Sequence, residues 1–217
     1  MDVFKQYYDT MDFKYGVSKS RRKKILSLLG DPSNKKVLDV GCAGGYLGEE
    51  IKKMGAKEVV GIDLSERAIA EAKKRIDGAF AIDIQNTAVP FEDGHFDVII
   101  FSEVIEHLIF PEKALQELKR VLRADGAIII TTPNLLVFSN RMRMLFGVFE
   151  YKDFTFFERG HIHFFTVDSL KKAIAQEGFR LDKMDNLIHP KIPVWLGKIF
   201  PNLFVYQAIF KIKKNEK

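Results

Sequence analysis

One stretch constrains this chain more than any other: Val37-Leu-Asp-Val-Gly-Cys-Ala-Gly-Gly45, an apolar strand that runs straight into a small-residue turn opening a helix. The helix carries Leu47, Ile51 and Met54 on one apolar stripe, and Gly55 suits a left-handed C-cap. Strand, glycine turn and helix in this order let a ligand approach the backbone at Gly41, Gly44 and Gly45, where side chains would otherwise stand in the way, and aim the helix N-terminus at it. A tight turn with no ligand would use the same residues. The next strand weighs against that reading, because the run Val59, Val60, Gly61, Ile62 ends in Asp63. An acid about twenty residues beyond such a turn, at the tip of the second strand, is where nucleoside-binding folds accept hydrogen bonds from ribose hydroxyls.

These residues resemble the class I S-adenosylmethionine-dependent methyltransferases, whose first motif reads hydrophobic-hydrophobic-Asp-hydrophobic-Gly-Cys-Gly-x-Gly with an acid after the second strand. Asp39, Gly41, Cys42 and Gly45 match, and Ala43 puts a methyl group where the family has glycine. The resemblance implies S-adenosyl-L-methionine as cofactor. It also implies an α/β, doubly wound, Rossmann-like seven-stranded sheet, mostly parallel with an antiparallel last strand, and helices on both faces. As cofactor-binding residues it implies Asp39, Gly41, Cys42, Ala43 and Gly45 around the turn, Asp63 and Leu64 after the second strand, Asp83 near the adenine amino group with Ile84 against the ring, and Ser102 at the tip of the fourth strand.

At 217 residues the chain fits one domain able to bury a core without cross-links. We read residues 1–217 as a single domain, with 1–34 as a helical N-terminal cover and 135–165 as a lid-like insertion. The single cysteine, Cys42, excludes an intramolecular disulfide and suits a reducing compartment, and its place inside the turn argues against a metal site. The N-terminus has no long apolar run of the secretory kind, so the expected compartment is the cytoplasm. A net charge of +5 permits an anionic partner without identifying one, and nucleic acid is not indicated.

In chain order, Tyr7, Tyr8, Phe13 and Tyr15 precede a basic run from Lys19 to Lys24 and then Ile25, Leu26, Leu28 and Leu29, a pattern of one or two helices that pack Ile25 and Leu29 inward. Tyr15 and Lys19 match a short-chain dehydrogenase spacing, but before the first strand rather than on a late helix, and we treat the match as chance. Ser65 is the expected N-cap of a helix bearing Ile69, Ala72 and Ile76 and ending at Gly78; a short strand, Ala79 to Ile82, follows. Phe96 to Phe101 is a near-continuous apolar run, the pattern of a central strand covered on both faces. Pro111 opens a helix with Ala114, Leu115, Leu118, Val121 and Leu122 on one stripe, which Arg123 to Gly126 should end before a fifth strand, Ala127 to Thr131. Thr166 should cap a helix bearing Val167, Leu170 and Ile174 and ending at Gly178, before a sixth strand from Phe179 to Met184 and a last strand from Phe204 to Ile212.

The run Ser102-Glu-Val-Ile-Glu-His-Leu108 resembles the fourth motif of ubiquinone-biosynthesis-like methyltransferases, where this tip meets both the sulfonium region and the acceptor. His107 there is either a base or a neutral group bonded to backbone, and Glu106 reads as structural. The resemblance places His161 beside His107 as the second catalytic candidate, with no metal expected. Between Leu135 and Gly160 the regular alternation stops: Val137, Phe138, Met142, Met144, Leu145, Phe146, Phe149, Phe154, Phe156 and Phe157 mix with Arg141, Arg143, Lys152 and Arg159. Such a long connection is a candidate lid or binding loop. With Trp195, Phe200 and Phe204 beside Lys191 and Lys198, its composition suits either an aromatic lid over a small-molecule pocket or peripheral contact with a membrane surface. The expected partner is a small-molecule acceptor, apolar or lipid-linked, methylated on oxygen or nitrogen. Two rivals stay open: a non-catalytic nucleoside-binding or membrane-associated scaffold of the same fold, and a nicotinamide-dependent dehydrogenase, which would need glycines where Ala43 and Tyr46 stand.

Overall fold

A computed structural model describes residues 17–148 and 160–215. Tyr7, Tyr8, Phe13 and Tyr15, and within the insertion Phe149, Lys152, Phe154, Phe156, Phe157 and Arg159, lie outside the described residues. In chain order the elements are α1 (Lys19–Leu29), β1 (Lys36–Val40), α2 (Tyr46–Lys53), β2 (Glu58–Asp63), α3 (Glu66–Ala72), β3 (Gly78–Ala81) and β4 (Phe96–Ser102), followed by a single 3-10 turn, Ile105–His107. Then come α4 (Pro111–Val121), β5 (Leu122–Pro133), α5 (Phe138–Leu145), α6 (Val167–Gln176), β6 (Phe179–Met184), the short β7 (Leu187–Ile188), α7 (Val194–Ile199), α8 (Pro201–Phe204) and β8 (Val205–Lys214).

The sheet order is β3-β2-β1-β4-β5-β8-β6, with β7 pairing off this path to β8. Strands β1 to β5 pair in parallel, and β8 runs antiparallel to both β5 and β6. From β1 the chain winds outward to β2 and β3 and then returns to place β4 on the other side of β1. Crossover connections leaving β1 in opposite directions open a crevice beyond the C-terminal ends of β1 and β4, the position where open α/β sheets bind ligands.

Alternation along the strands feeds two apolar layers. Leu38, Val40, Ile99, Phe101, Ile128 and Ile130 pack with Leu115 and Leu118 of α4 and Leu170 of α6. Val37, Val59, Val98, Ile100 and Ile129 pack on the opposite face with Ile25 and Leu29 of α1, Leu47 and Ile51 of α2 and Ile69 of α3. The continuous apolar run of β4 is therefore covered on both faces. Ser65 caps α3 by accepting the Ala68 N–H, and Thr166 and Ser169 close a reciprocal capping box at the start of α6.

Several boundaries differ from expectation. Helix α3 ends at Ala72, and Gly78 opens β3 instead of ending the helix. The Asp77 carboxylate accepts the Val59 N–H, and this bond turns the intervening segment into the sheet early. Helix α4 ends at Val121 and β5 begins at once with Leu122, the register with β4 shifting between Phe96 and Val98. Gly126 belongs to that strand, where a Cβ would stand 2.9 Å from the Asp97 carbonyl oxygen. Met54 is exposed, not part of the buried stripe, because it is the C-cap residue of α2. The last strand runs Val205–Lys214, after a short helix that ends at Phe204, and β7 adds an eighth strand to the seven expected.

Candidate active site

The turn after β1 is held to the tip of β2. The N–H groups of Gly41 and Cys42 donate to the Ile62 carbonyl, and the Ala43 N–H donates to Asp63 Oδ2 at 2.9 Å. The other Asp63 oxygen accepts the Ser65 N–H at 2.9 Å, so one carboxylate braces both the turn and the start of α3. Gly41, Ala43 and Gly45 all have positive φ, at 72°, 45° and 77°. Ala43 thus follows a path natural to glycine at a strain of about 1–2 kcal/mol, and its methyl group has not rerouted the turn. At Gly41 a Cβ would stand 2.4 Å from Val104 Cγ2, two residues beyond the end of β4, so the turn leaves no room there for a side chain.

Around this turn stand most of the residues expected to bind a cofactor. Asp63, Leu64, Asp83 and Ser102 are half-buried at or just beyond the tips of β2, β3 and β4, and Ile84 is buried. Asp83 is engaged locally, accepting from the Gln85 N–H and from Asn86 Nδ2, and the Ser102 hydroxyl bonds Thr131 Oγ1 at 2.9 Å. Asp39 and Cys42 face inward and shape the turn from below. The donor set suits S-adenosylmethionine: a turn whose glycines leave the backbone open, a carboxylate at the second strand tip, and a carboxylate with an apolar neighbour beyond the third.

Burial, and after it the charge of Asp63, pushes the Asp39 carboxyl up to about 7. The native protein therefore holds a proton that the unfolded chain releases near pH 4, and this stabilisation, complete below about pH 4, is lost as pH rises toward 7. Asp39→Asn, which keeps the neutral shape, should flatten the fall in melting temperature between pH 5 and 8, a difference on the order of a few kcal/mol. Parallel melting curves for the two proteins across that range would refute the assignment.

Across the tip of β4 lies a second, acidic and imidazole-bearing group. The Ile105–His107 turn directs Glu106 inward, where it is 1% exposed, and leaves His107 at the rim. The Glu106 carbonyl accepts the N–H groups of both Ile162 and His163, at 2.8 and 3.0 Å, which folds the segment after the insertion onto the turn. This brings His107 and His161 edge to face, with ring centroids 4.7 Å apart and planes at 62°. His107 Nδ1 lies 3.0 Å from the Gly160 carbonyl oxygen. A carbonyl oxygen only accepts, so Nδ1 carries the proton and Nε2 holds the lone pair. Burial first, and His161 second, lowers the His107 imidazole to about 4, so it is neutral at neutral pH. His163 faces away, its Nε2 3.4 Å from the Ile109 carbonyl.

Two acids beside the β4 tip, Glu103 and Glu106, tie this group to its neighbours. Glu103, at φ 56°, ties Thr131 to Arg21 of α1: its Oε1 accepts from the Thr131 hydroxyl at 2.7 Å and its Oε2 pairs with the guanidinium at 2.9 Å. The N-terminal helix is thereby clasped to the strand tip. Burial, and then the charge of Glu103, pushes the Glu106 carboxyl well above the ordinary carboxylate range. Nitrogens of His107 and His161 and an oxygen of Glu106 lie within 4.8 Å of one another, a set chemically able to hold a metal ion where none was expected. The signal was present in Ser102-Glu-Val-Ile-Glu-His107, which carries two acids and an imidazole on a strand tip and one turn.

Among known proteins, a sequence profile described as a methyltransferase domain matches residues 14–183. A Mycobacterium tuberculosis protein named as a probable S-adenosylmethionine-dependent methyltransferase is 33% identical over 103 residues, 48% of this chain and 37% of that protein. The ubiquinone biosynthesis O-methyltransferase of Pasteurella multocida is 34% identical over 147 residues, 60% of each chain. The chain thus spans between 37% and 60% of the length of these two relatives. Of solved structures, the PH0226 protein of Pyrococcus horikoshii superposes with a TM-score of 0.70 over 98% of this chain and 100% of its own, at 21% identity. An S-adenosylmethionine-dependent methyltransferase of Mesorhizobium loti gives a TM-score of 0.66 over 94% and 100% at 14% identity.

Proposed function

This chain belongs to the methyltransferase-domain family, and from that premise we propose that it transfers the methyl group of S-adenosylmethionine to an oxygen or nitrogen of a small acceptor with an apolar portion. One observation carries the reading: the turn braced by Asp63 follows β1, and the His107–His161 pair lies just beyond the end of the adjacent parallel strand β4, so both stand at the C-terminal ends of neighbouring strands. When bound, the cofactor supplies an electrophilic sulfonium methyl group. Asp63 accepts from ribose hydroxyls, Asp83 and Ile84 hold the base, and Gly41 and Gly45 keep the backbone open to it. His107 presents Nε2 to an acceptor hydroxyl and receives its proton as the oxygen turns nucleophilic; a neutral amine needs no such base. Holding the acceptor in line contributes about 7–11 kcal/mol by orientation alone. Helix α1 is held beside the site through the Arg21–Glu103 clasp, and the segment from Gly160 to His163 is held to it through the Glu106 carbonyl and His107. Release of S-adenosylhomocysteine with a panel of phenolic, amine and isoprenoid-tailed acceptors tests the proposal. Cofactor binding with no release across the panel would favour the scaffold of the same fold, and a dehydrogenase is set aside by the family.

The acceptor's apolar portion is argued from the rim. Because Pro133 of β5 pairs with Gln207 of β8, α5 and α8 adjoin the same edge of the sheet, and Asn134 Nδ2 joins them by donating to the Asn202 and Val205 carbonyls. There Leu145 and Phe146 are 73% and 74% exposed and Trp195 59% exposed, with Phe138, Ile199 and Phe200 also in solvent. Residues 134–148 and 186–204 contain Arg141, Arg143, Lys191 and Lys198 and no acid. Among the described residues no helix is long and apolar enough to cross a membrane; the bilayer contact proposed for this rim is peripheral. The protein should co-sediment with phosphatidylglycerol vesicles at low salt, release as salt rises, and bind several-fold less when Phe146 and Trp195 become serine. No association at low salt would leave a soluble acceptor beneath an apolar lid.

A further inference from the structure

We propose that the free edge of β3 is an interface between two copies of this chain, in which the two β3 strands pair antiparallel about a two-fold axis normal to the sheet and the two α3 helices pack side by side. The inference does not depend on the proposed methyl transfer. Strand β3 stands at one end of the sheet order and pairs with β2 alone among the described residues. A groove of about 620 Å³ follows its outer edge. Glu66, Ala70 and Lys73 of α3 form one wall, Thr87, Ala88 and Pro90 the other, and residues 79–82 the floor. None of the residues expected to bind the cofactor lines it. An unpaired edge presents a row of N–H and C=O groups, and proteins guard such edges with charge, proline or bulges where nothing is to pair. The opposite edge is guarded: β6 carries Arg180, Asp182 and Lys183, with a register shift between Leu181 and Lys183. Strand β3, Gly78-Ala-Phe-Ala81, has neither charge nor proline, and Phe80 is 39% exposed.

A second copy is the occupant because this edge complements itself under a two-fold axis. Antiparallel pairing centred between Ala79 and Phe80 sets Gly78 of one copy opposite Ala81 of the other and keeps like faces of the two sheets together. Side chains alternate along β3: Ala79 packs in the layer of Ile69 from α3, whereas the Phe80 ring meets Phe91, which packs against the opposite layer. The incoming strand thus finds the small residues Ala70, Ala79 and Ala81 on the α3 side and Phe80 on the other. Glu66 and Lys73 lie seven residues apart, two turns along one face of α3, with Ala70 near midway. The two-fold axis reverses one α3 against the other, so Glu66 of each copy stands beside Lys73 of its mate, and the alanine between them lets the helices approach to about 8–10 Å. A parallel arrangement would instead oppose Glu66 to Glu66 and Lys73 to Lys73.

The test uses the full chain. Sedimentation velocity from about 1 to about 200 µM should show a species of twice the 24.9 kDa chain mass that dissociates on dilution. Ala81→Lys, which charges the exposed edge without touching the core, should raise the dissociation constant roughly tenfold or more. Glu66→Lys and Lys73→Glu should each do the same by setting like charges opposite one another across the interface. Mixed in equal amounts, these two reversed proteins should associate at least as tightly as wild type, since every contact between positions 66 and 73 is then of opposite sign. Circular dichroism checks that each variant is folded, and Ala81→Lys carries the test should a reversal on α3 prevent folding. A chain that stays monomeric at every concentration would overturn the pairing and leave the groove to a strand of another protein. A dimer that Ala81→Lys leaves intact would place the interface elsewhere, and reversed proteins that stay apart on mixing would overturn the helix apposition. Methyl transfer is read separately, by release of S-adenosylhomocysteine, so the two proposals fail independently.

Discussion

Replacing His107 by alanine should lower turnover by about 10²- to 10⁴-fold on a hydroxyl acceptor, the range for loss of a positioned general base, with S-adenosylmethionine affinity unchanged. His161→Ala should cost less, because His107 keeps its Gly160 bond and its Nε2 lone pair without the neighbouring ring. Since His161 contributes to lowering the His107 imidazole, removing it should also move the acidic limb of the rate profile to higher pH. Steady-state release of S-adenosylhomocysteine between pH 5 and 9 reads both effects. If each variant keeps full turnover, the pair only ties the 160–163 segment to the strand tip. An amine acceptor would show itself by a small effect of both variants at high pH, where the amine is already neutral.

The second large effect concerns Asp63. Asp63→Ala should weaken S-adenosylmethionine binding by about 1.5–3 kcal/mol, roughly 10- to 150-fold in Kd by calorimetric titration. The carboxylate has two tasks, receiving the Ala43 and Ser65 N–H groups and presenting its remaining lone pairs to the ribose. Asp63→Asn, which keeps one acceptor oxygen, should fall between wild type and alanine. Folding stability should change little, because loss of the Asp63 charge eases the burial of Asp39 while the freed N–H groups at the half-exposed tip reach water. Unchanged affinity in Asp63→Ala would show that the ribose lies elsewhere.

What the sequence determined by itself is the part of the molecule written in short range. Strand, glycine turn and helix around Gly41, the acid at Asp63, the caps at Ser65 and Thr166 and the doubly covered run of β4 follow from backbone sterics and from burial on two faces. These depend on residues a few positions apart, so periodicity and turn chemistry expose them. The resemblance then implied a mostly parallel sheet with an antiparallel last strand, and the structure supplied the strand order, with that strand between β5 and β6. Ala43 shows the limit of the local argument: its side chain argues against a left-handed turn, yet bonds that the turn's N–H groups donate to Ile62 and Asp63 hold it at φ 45°. Only the tertiary structure decided the acceptor side. Glu106 reads as one more acid near a helix start until the fold carries Thr132 from β5, and Ile162 and His163 from beyond the insertion, onto it. Arg21 reads as one of a basic run until α1 lays it against Glu103. Each of these contacts joins residues more than twenty positions apart, and whether a carboxyl ends up paired, protonated or unmatched depends on the desolvation and the neighbours that packing imposes, which no local pattern encodes.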